Sequence, residues 1–230
     1  TRQSGLKDEL TTIAHNIANA STAGFRREGV VFSEYVAQLD GPGGSLSMAA
    51  ARARVVDLAQ APLTQTGGSF DFAIEGPGFF TVETPAGPRL TRAGAFTPNA
   101  QGDLVTADGH RLLDAGGAPV FIPPDAATIA LGGDGTLSAD GQPLTQLGAV
   151  APADPNDLTH EAGTLFDPGT ADLVPVEGAR FAQGFLEGSN VSPIAEIARM
   201  IEVQRAYELG RGLLDREDDR IRNVIRTLSA

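Results

Sequence analysis

At 230 residues and 41% hydrophobic, the chain can hold one large domain or two small ones, and its 28 Gly and 15 Pro supply many turns. The absence of Cys removes disulfides, thiolate metal sites and a cysteine nucleophile, and is compatible with either side of a cytoplasmic membrane. The net charge of −12 lies entirely in the middle: residues 1–66 carry six basic and six acidic side chains, residues 67–190 four and sixteen, residues 191–230 seven and seven. An acidic, aromatic-poor middle argues against nucleic acid as a partner and against anionic membrane surfaces. No apolar run reaches the roughly 18–20 residues that span a bilayer, so direct membrane insertion is not expected. Residues 1–20 lack the uninterrupted apolar core of a signal peptide, which leaves export without a cleaved peptide open.

In chain order, Leu6, Leu10, Ile13 and Ile17 follow a 4-3-4 spacing that predicts a helix with one apolar stripe. That helix should end around Asn19 to Thr22, with Gly24 free to take a positive φ. The stretch opening at Gly41-Pro42-Gly43-Gly44 is harder to read. Its Ala- and Arg-rich centre, Met48 to Leu58, suits a helix, but Pro and Gly on both flanks favour an extended connector.

From Phe70 the periodicity changes to two. Phe70 to Glu75 alternates, and short apolar stretches follow at Phe79–Val82, Leu104–Val105, Leu112–Leu113, Val120–Ile122, Ile129–Leu131 and Leu147–Val150. Pro85-Ala86-Gly87, Asn99 to Gly102, Asp108-Gly109, Asp134-Gly135 and Asp140-Gly141 punctuate them as turns. Many short strands with spaced turns predict a β-rich domain, antiparallel sandwich or barrel-like.

Ser192-Pro193 then reads as a helix start. Met200, Val203, Tyr207, Gly210, Leu214, Glu217, Ile221, Val224 and Leu228 hold 3-4 spacing over about four heptads. A second stripe, Ile194, Ile197 and Ile201, widens the apolar face at its N-terminal end. The division expected is 1–40 N-terminal helix and turn, 41–66 connector, 67–190 β-rich middle and 191–230 C-terminal helix. The two helices can pair with each other or with neighbouring subunits, and sequence physics leaves both open.

Catalysis finds little support. Asp108, Asp134 and Asp140 each precede Gly, and hairpin geometry explains them without an acid–base role. His15, His110 and His160 stand apart, without ligand spacing. Gly188-Ser189-Asn190 lacks the nucleophile elbow, and no phosphate-binding glycine loop occurs. The expectation is no enzyme, no cofactor, no metal and no small-molecule substrate. An exported cell-wall hydrolase and an adhesin-like binding module are the rival readings.

Asn16-Ile17-Ala18-Asn19-Ala20-Ser21-Thr22-Ala23-Gly24-Phe25 resembles the N-terminal signature of the flagellar rod and hook family of axial proteins, with His15 where the family often has a further Asn. Asn190-Val191 and Met200 to Glu208 resemble its C-terminal signature. Gly76-Pro77-Gly78-Phe79-Phe80, Leu90-Thr91-Arg92-Ala93-Gly94 and Gly102-Asp103-Leu104 look like its middle domain. The resemblance implies export through the flagellar type III apparatus, assembly in the periplasm, and contacts with other rod proteins and copies of itself. It also implies long N- and C-terminal helices that form a coiled-coil core on assembly, around a mainly β middle. Asn16, Ile17, Asn19, Thr22, Gly24 and Phe25 become N-terminal assembly residues. Asn190, Met200, Val203, Gln204, Arg205, Tyr207, Leu214, Ile221, Val224 and Leu228 become their C-terminal counterparts. The length is too short for a hook protein and too long for the small rod proteins, and the ending from Leu213 to Ile225 is most similar to the proximal of the two larger rod proteins, with the distal one as alternative.

Overall fold

The computed structural model describes residues 2–38, 45–161, 163–170 and 172–228, so the Gly41–Gly44 opening of the expected connector lies outside the described residues. The chain forms two compact units. One holds the segments up to Ala18, Glu28–Val55 and Ser192 onward; the other holds Asn19–Arg27 and Val56–Val191.

In the first unit, α1 spans Arg2–Ala18 and α2 spans Pro193–Leu228. Pro193 occupies the first helical position, where its missing N–H costs nothing, and the Ser192 carbonyl accepts the first helical bond from Glu196 N–H at 3.0 Å. At 36 and 17 residues the helices are about 54 and 25 Å long. They run antiparallel: Asn16 meets Glu196, Glu9 meets Arg199, and Gln3 meets Tyr207. The Ala- and Arg-rich stretch is a strand, Ser45–Val56, paired with Glu28–Gln38.

This corrects the expectation of two long helices forming a coiled coil. The N-terminal helix is short, and it packs on α2 of its own chain. The buried side of α1 is Gly5, Glu9, Thr12, Ile13 and Asn16, while Leu6, Leu10 and Ile17 are only half-buried. A coiled-coil seam needs apolar knobs at its a and d positions. Here the inward positions are mainly polar and are held by hydrogen bonds, so apolar spacing read from the sequence pointed to the neighbouring face.

The second unit is mostly β, as expected for the middle. Its largest sheet among the described residues is antiparallel and has seven strands in the order Thr159–His160, Leu165–Asp167, Gly87–Thr91, Phe80–Thr84, Arg111–Leu113, Leu104–Val105 and Thr97–Pro98. Phe80–Thr84 lies at its centre, with Val82 opposite Arg89 on one side and Leu112 on the other. Three smaller pairs join Phe72–Glu75 to Arg180–Gln183, Leu63–Gln65 to Phe185–Glu187, and Val150–Pro152 to Leu173–Pro175. Ile129–Leu131, Thr136–Ala139 and Gln142–Gln146 form a three-stranded meander. Val120–Ile122 makes bridges rather than a named strand, since Val120 bonds both Leu112 and Leu104.

The core of this unit includes Phe72, Ile74, Phe80, Val82, Phe96, Leu104, Leu112 and Leu137, with Phe80 set edge-on to Phe96 at 5.6 Å. A second cluster of Val56, Phe79, Leu90, Leu158 and Phe166 contains the Phe79–Phe166 ring pair, its centroids 5.5 Å apart. The turn acids act as turn residues. Asp134 accepts from the N–H and hydroxyl of Thr136, and Asp140, itself at φ 50°, accepts from the N–H groups of Ala127 and Thr128.

Candidate assembly site

Asn16 is the centre of the helical unit. It is fully buried, and all of its hydrogen-bonding edges facing the protein are used. Its Nδ2 donates to the Glu28 carbonyl at 2.8 Å and to Glu196 Oε2 at 3.2 Å, while Oδ1 accepts the Glu28 N–H at 3.0 Å. One amide thereby ties the start of strand Glu28–Gln38 and the first turn of α2 to α1. An apolar residue would withdraw this amide's hydrogen bonds from the buried Glu28 backbone and from the Glu196 carboxylate. One helical repeat or more away, Arg199 donates from Nε to Glu9 Oε1 at 2.7 Å and pairs with Glu202 at 3.2 Å. Its hydrogen bond to Glu9 raises the guanidinium pKa against the lowering effect of burial.

Ile17 lies with Asn16 in α1, and from Asn19 onward the N-terminal motif belongs to the β unit. Asn19 and Thr22 close the turn after α1, through Thr22 N–H to the Asn19 carbonyl at 3.1 Å and hydroxyl to Oδ1 at 3.2 Å. Gly24 has φ 75°, and a Cβ there would stand 2.2 Å from the backbone nitrogen of Ala93. Both the left-handed backbone and the close approach exclude a side chain. Gly24 N–H donates to the Glu187 carbonyl at 2.8 Å, and the Phe25 ring, fully buried, lies 5.1 Å from that of His160.

Asn190 completes this junction. Its Oδ1 accepts the Arg27 N–H at 2.6 Å, and Nδ2 donates to the carbonyls of Asp57 and Ala59 at 2.9 and 3.0 Å. Glu187 adds a second clasp: Oε1 accepts the Ala61 N–H at 2.8 Å and lies 2.7 Å from Arg26, and Oε2 lies 3.0 Å from Arg92. The two residues join the passages through 24–27, 57–61 and 187–190.

The C-terminal residues divide by direction. Val203 is buried; Met200 and Tyr207 are half-buried, the Tyr207 carbonyl accepting from Gln3. Gln204, Arg205, Ile221 and Val224 are exposed. The side chains of Leu214 and Leu228 lie outside the description. Ile17 is half-buried. Sequence reading missed Glu9, Glu28, Glu196 and Arg199 in the helical unit, and Arg26, Arg92 and Glu187 in the β unit. A signal was present: Arg26 follows the Gly24-Phe25 turn, and Glu187 precedes Asn190. Charged residues next to motif residues are usually read as solvated, and only the fold brings these partners together.

Comparisons with known proteins agree along the chain. Residues 73–139 match the flagellar hook protein FlgE/F/G D1 domain, and residues 182–227 match the flagellar basal body rod FlgEFG protein C-terminal family. The chain is 37% identical to flagellar basal-body rod protein FlgF of Caulobacter vibrioides, over 99% of its own length and 94% of the relative's. It is 33% identical to FlgF of Rhizobium meliloti over 98% and 94% of the two lengths, and 31% identical to flagellar basal-body rod protein FlgG of Bacillus subtilis over 96% and 95%. With this identity extending over both units and both signature motifs, the chain belongs to the FlgE/F/G family of flagellar rod and hook proteins, and within it to the FlgF rod proteins.

Proposed function

We propose that this structural subunit of the flagellar basal-body rod stands in the proximal rod and meets its neighbours through the outward side of α2. The observation that carries the contact surface is the exposure of large apolar side chains along one helix: Ile194 at 83%, Leu209 at 76% and Leu213 at 67%, with Ile221, Val224 and Ile225 also exposed. A soluble monomer rarely leaves so many together without a partner surface. The sequence-derived assembly residues then have two roles. Asn16, Asn19, Thr22, Gly24, Phe25, Asn190 and Val203 hold the subunit's own shape, while Gln204, Arg205, Ile221 and Val224 face neighbours. The partners are copies of this chain and other rod proteins, reached after export through the flagellar type III apparatus to the periplasm.

With FlgF taken as the proximal and FlgG as the distal of the two larger rod proteins, the proximal placement is supported by 37% identity to FlgF proteins against 31% to a FlgG over comparable coverage. A distal position is the second reading, carried by that same FlgG match. Rod stubs isolated from cells lacking the distal rod protein are expected to contain this chain. Its absence from them would overturn the proximal placement. For the surface, Ile221→Asp with Val224→Asp is expected to leave the melting temperature of the purified subunit unchanged but to remove it from isolated basal bodies. Normal incorporation of that double variant would overturn the contact assignment.

A further inference from the structure

Within the β unit, two guanidinium groups share one carboxylate away from solvent. Arg26 is fully buried, Arg92 is 2% exposed and Glu187 1%. Glu187 lies 2.7 Å from Arg26 Nη2 through Oε1 and 3.0 Å from Arg92 Nη1 through Oε2, and Oε1 also accepts the Ala61 N–H. Arg92 donates from Nη1 to the Ile74 carbonyl at 3.1 Å and from Nη2 to the Gly76 carbonyl at 2.5 Å, and sits 5.6 Å from the Phe79 ring centroid. Three buried guanidinium nitrogens still meet no acceptor: Nε and Nη1 of Arg26, and Nε of Arg92.

The charges do not balance. Two guanidiniums and one carboxylate sum to +2 − 1 = +1, in a place where an uncompensated charge is strongly disfavoured. Burial lowers the pKa of Arg92 to about 10 despite the opposing pull of Glu187, with the Arg26 charge adding to the lowering. Backbone carbonyls and a water molecule can satisfy N–H groups, but neither removes a net charge. Deprotonating a guanidinium near neutral pH is excluded by its intrinsic basicity. A small anion held against the nitrogens of Arg26 would satisfy them and cancel the charge together.

We propose that a chloride ion binds against Nε and Nη1 of Arg26, making the Arg26–Glu187–Arg92 cluster neutral. A single charge matches the deficit of one, and the lack of exposure favours a compact anion over phosphate or a carboxylic acid. The ion would fasten the turn through Gly24–Arg27 to the passages at Ala61, Arg92 and Glu187, so that the closing of this junction depends on chloride.

The test uses the full chain. Thermal unfolding is followed while sodium gluconate is replaced by sodium chloride, then by sodium bromide, at constant ionic strength and pH. The expected result is a melting temperature higher by roughly 2–4 °C in either halide, the linkage shift for a ligand that binds only the folded state. Crystals grown in bromide are expected to show an anomalous peak beside Arg26. Equal melting in gluconate and halide, or a bromide crystal with no peak at Arg26, overturns the proposal. Arg26→Met leaves the neutral Arg92–Glu187 pair and is expected to abolish the halide shift; a variant that folds and keeps the shift overturns the assignment to this cluster. Should that variant fail to fold, the bromide crystal of the unaltered chain decides.

Discussion

In the β unit the fully buried side chains are largely apolar, among them Phe72, Phe80, Leu90, Leu104, Leu112 and Phe166, with the Arg26–Glu187–Arg92 cluster as the exception, whereas the described inward residues of the helical unit are Gly5, Glu9, Thr12, Asn16, Glu28 and Glu196 around Ile13 and Val203. Apolar burial is non-directional and scales with area, so the apolar core of the β unit depends on filled volume rather than on exact polar partners. Buried polar groups are directional and contribute little net unless each is satisfied, so the helical unit depends on a few exact partners. The contrast fits a subunit whose β part carries an apolar core of its own and whose helical part leaves apolar side chains of α2 exposed. Specific polar partners at the α1–α2 seam fix one arrangement of the helices, and that arrangement decides which face α2 presents.

Variants can break or sharpen the contrast. The largest effect is expected from Phe80→Ala, which removes a ring from the centre of the apolar core and should cost about 3–5 kcal/mol, read as a lower midpoint in denaturant unfolding. A cost below about 1 kcal/mol would mean that this core is not close-packed. Next is Gly24→Ala. Its φ of 75° and the 2.2 Å approach to Ala93 predict a loss of about 2–4 kcal/mol. Crystallography of the variant should show the 22–27 turn displaced; an unmoved turn at full stability would refute the steric account.

A smaller and more local loss, about 1–3 kcal/mol, is expected from Asn16→Ala, because the Glu28 backbone and the Glu196 carboxylate lose a buried partner. Amide exchange should rise in α1 and the first turn of α2. Asn16→Leu separates the two principles: if the apolar residue restores stability, the seam is held by area after all.

The smallest effect concerns acid. Asp114, Asp134 and Asp140 have carboxyl pKa values lowered in the fold. For Asp114, burial pushes the value up, but hydrogen bonds from the Thr145 hydroxyl and the N–H groups of Ala118, Gly116 and Gly117 outweigh it. For Asp134 the lowering comes from the N–H and hydroxyl of Thr136, and for Asp140 chiefly from the N–H groups of Thr128 and Ala127. A depressed folded pKa gives stability that is complete above the unfolded value and is lost as pH falls through the folded one. The turns should therefore loosen only below about pH 4. Nuclear magnetic resonance of the Thr128 and Thr136 amides would show it, and unchanged shifts down to pH 2 would refute the role of these hydrogen bonds.

Much of the molecule was legible in its residue order. Period-two alternation marked Phe72–Glu75, apolar pairs marked Leu104–Val105 and Arg111–Leu113, and Asp-Gly dipeptides marked the hairpins, because a strand's faces and a turn's φ are decided by neighbours in the chain. The start of α2 at Pro193 was legible for the same reason, while α1 ends at Ala18, just before the expected stop around Asn19 to Thr22. Gly24 was also found as a turn glycine. That Ala93 leaves no room for its side chain was not legible, since the contact joins residues distant in sequence.

Apart from the strands Glu28–Gln38 and Ser45–Val56, which it did not show, sequence alone thus determined the two helices and the β character of the middle, where the charge lies, and the family to which the chain belongs. These depend on local periodicity and on ordered motifs. Only the tertiary structure decided which side of α1 is inward, that Asn16 and Glu187 each join distant passages, and that Ile221 and Val224 remain exposed while Val203 is buried. The physical reason is that an apolar stripe records only which residues prefer burial. Which of them are buried, and which polar groups go in with them, is settled by the partners that folding brings within hydrogen-bond reach.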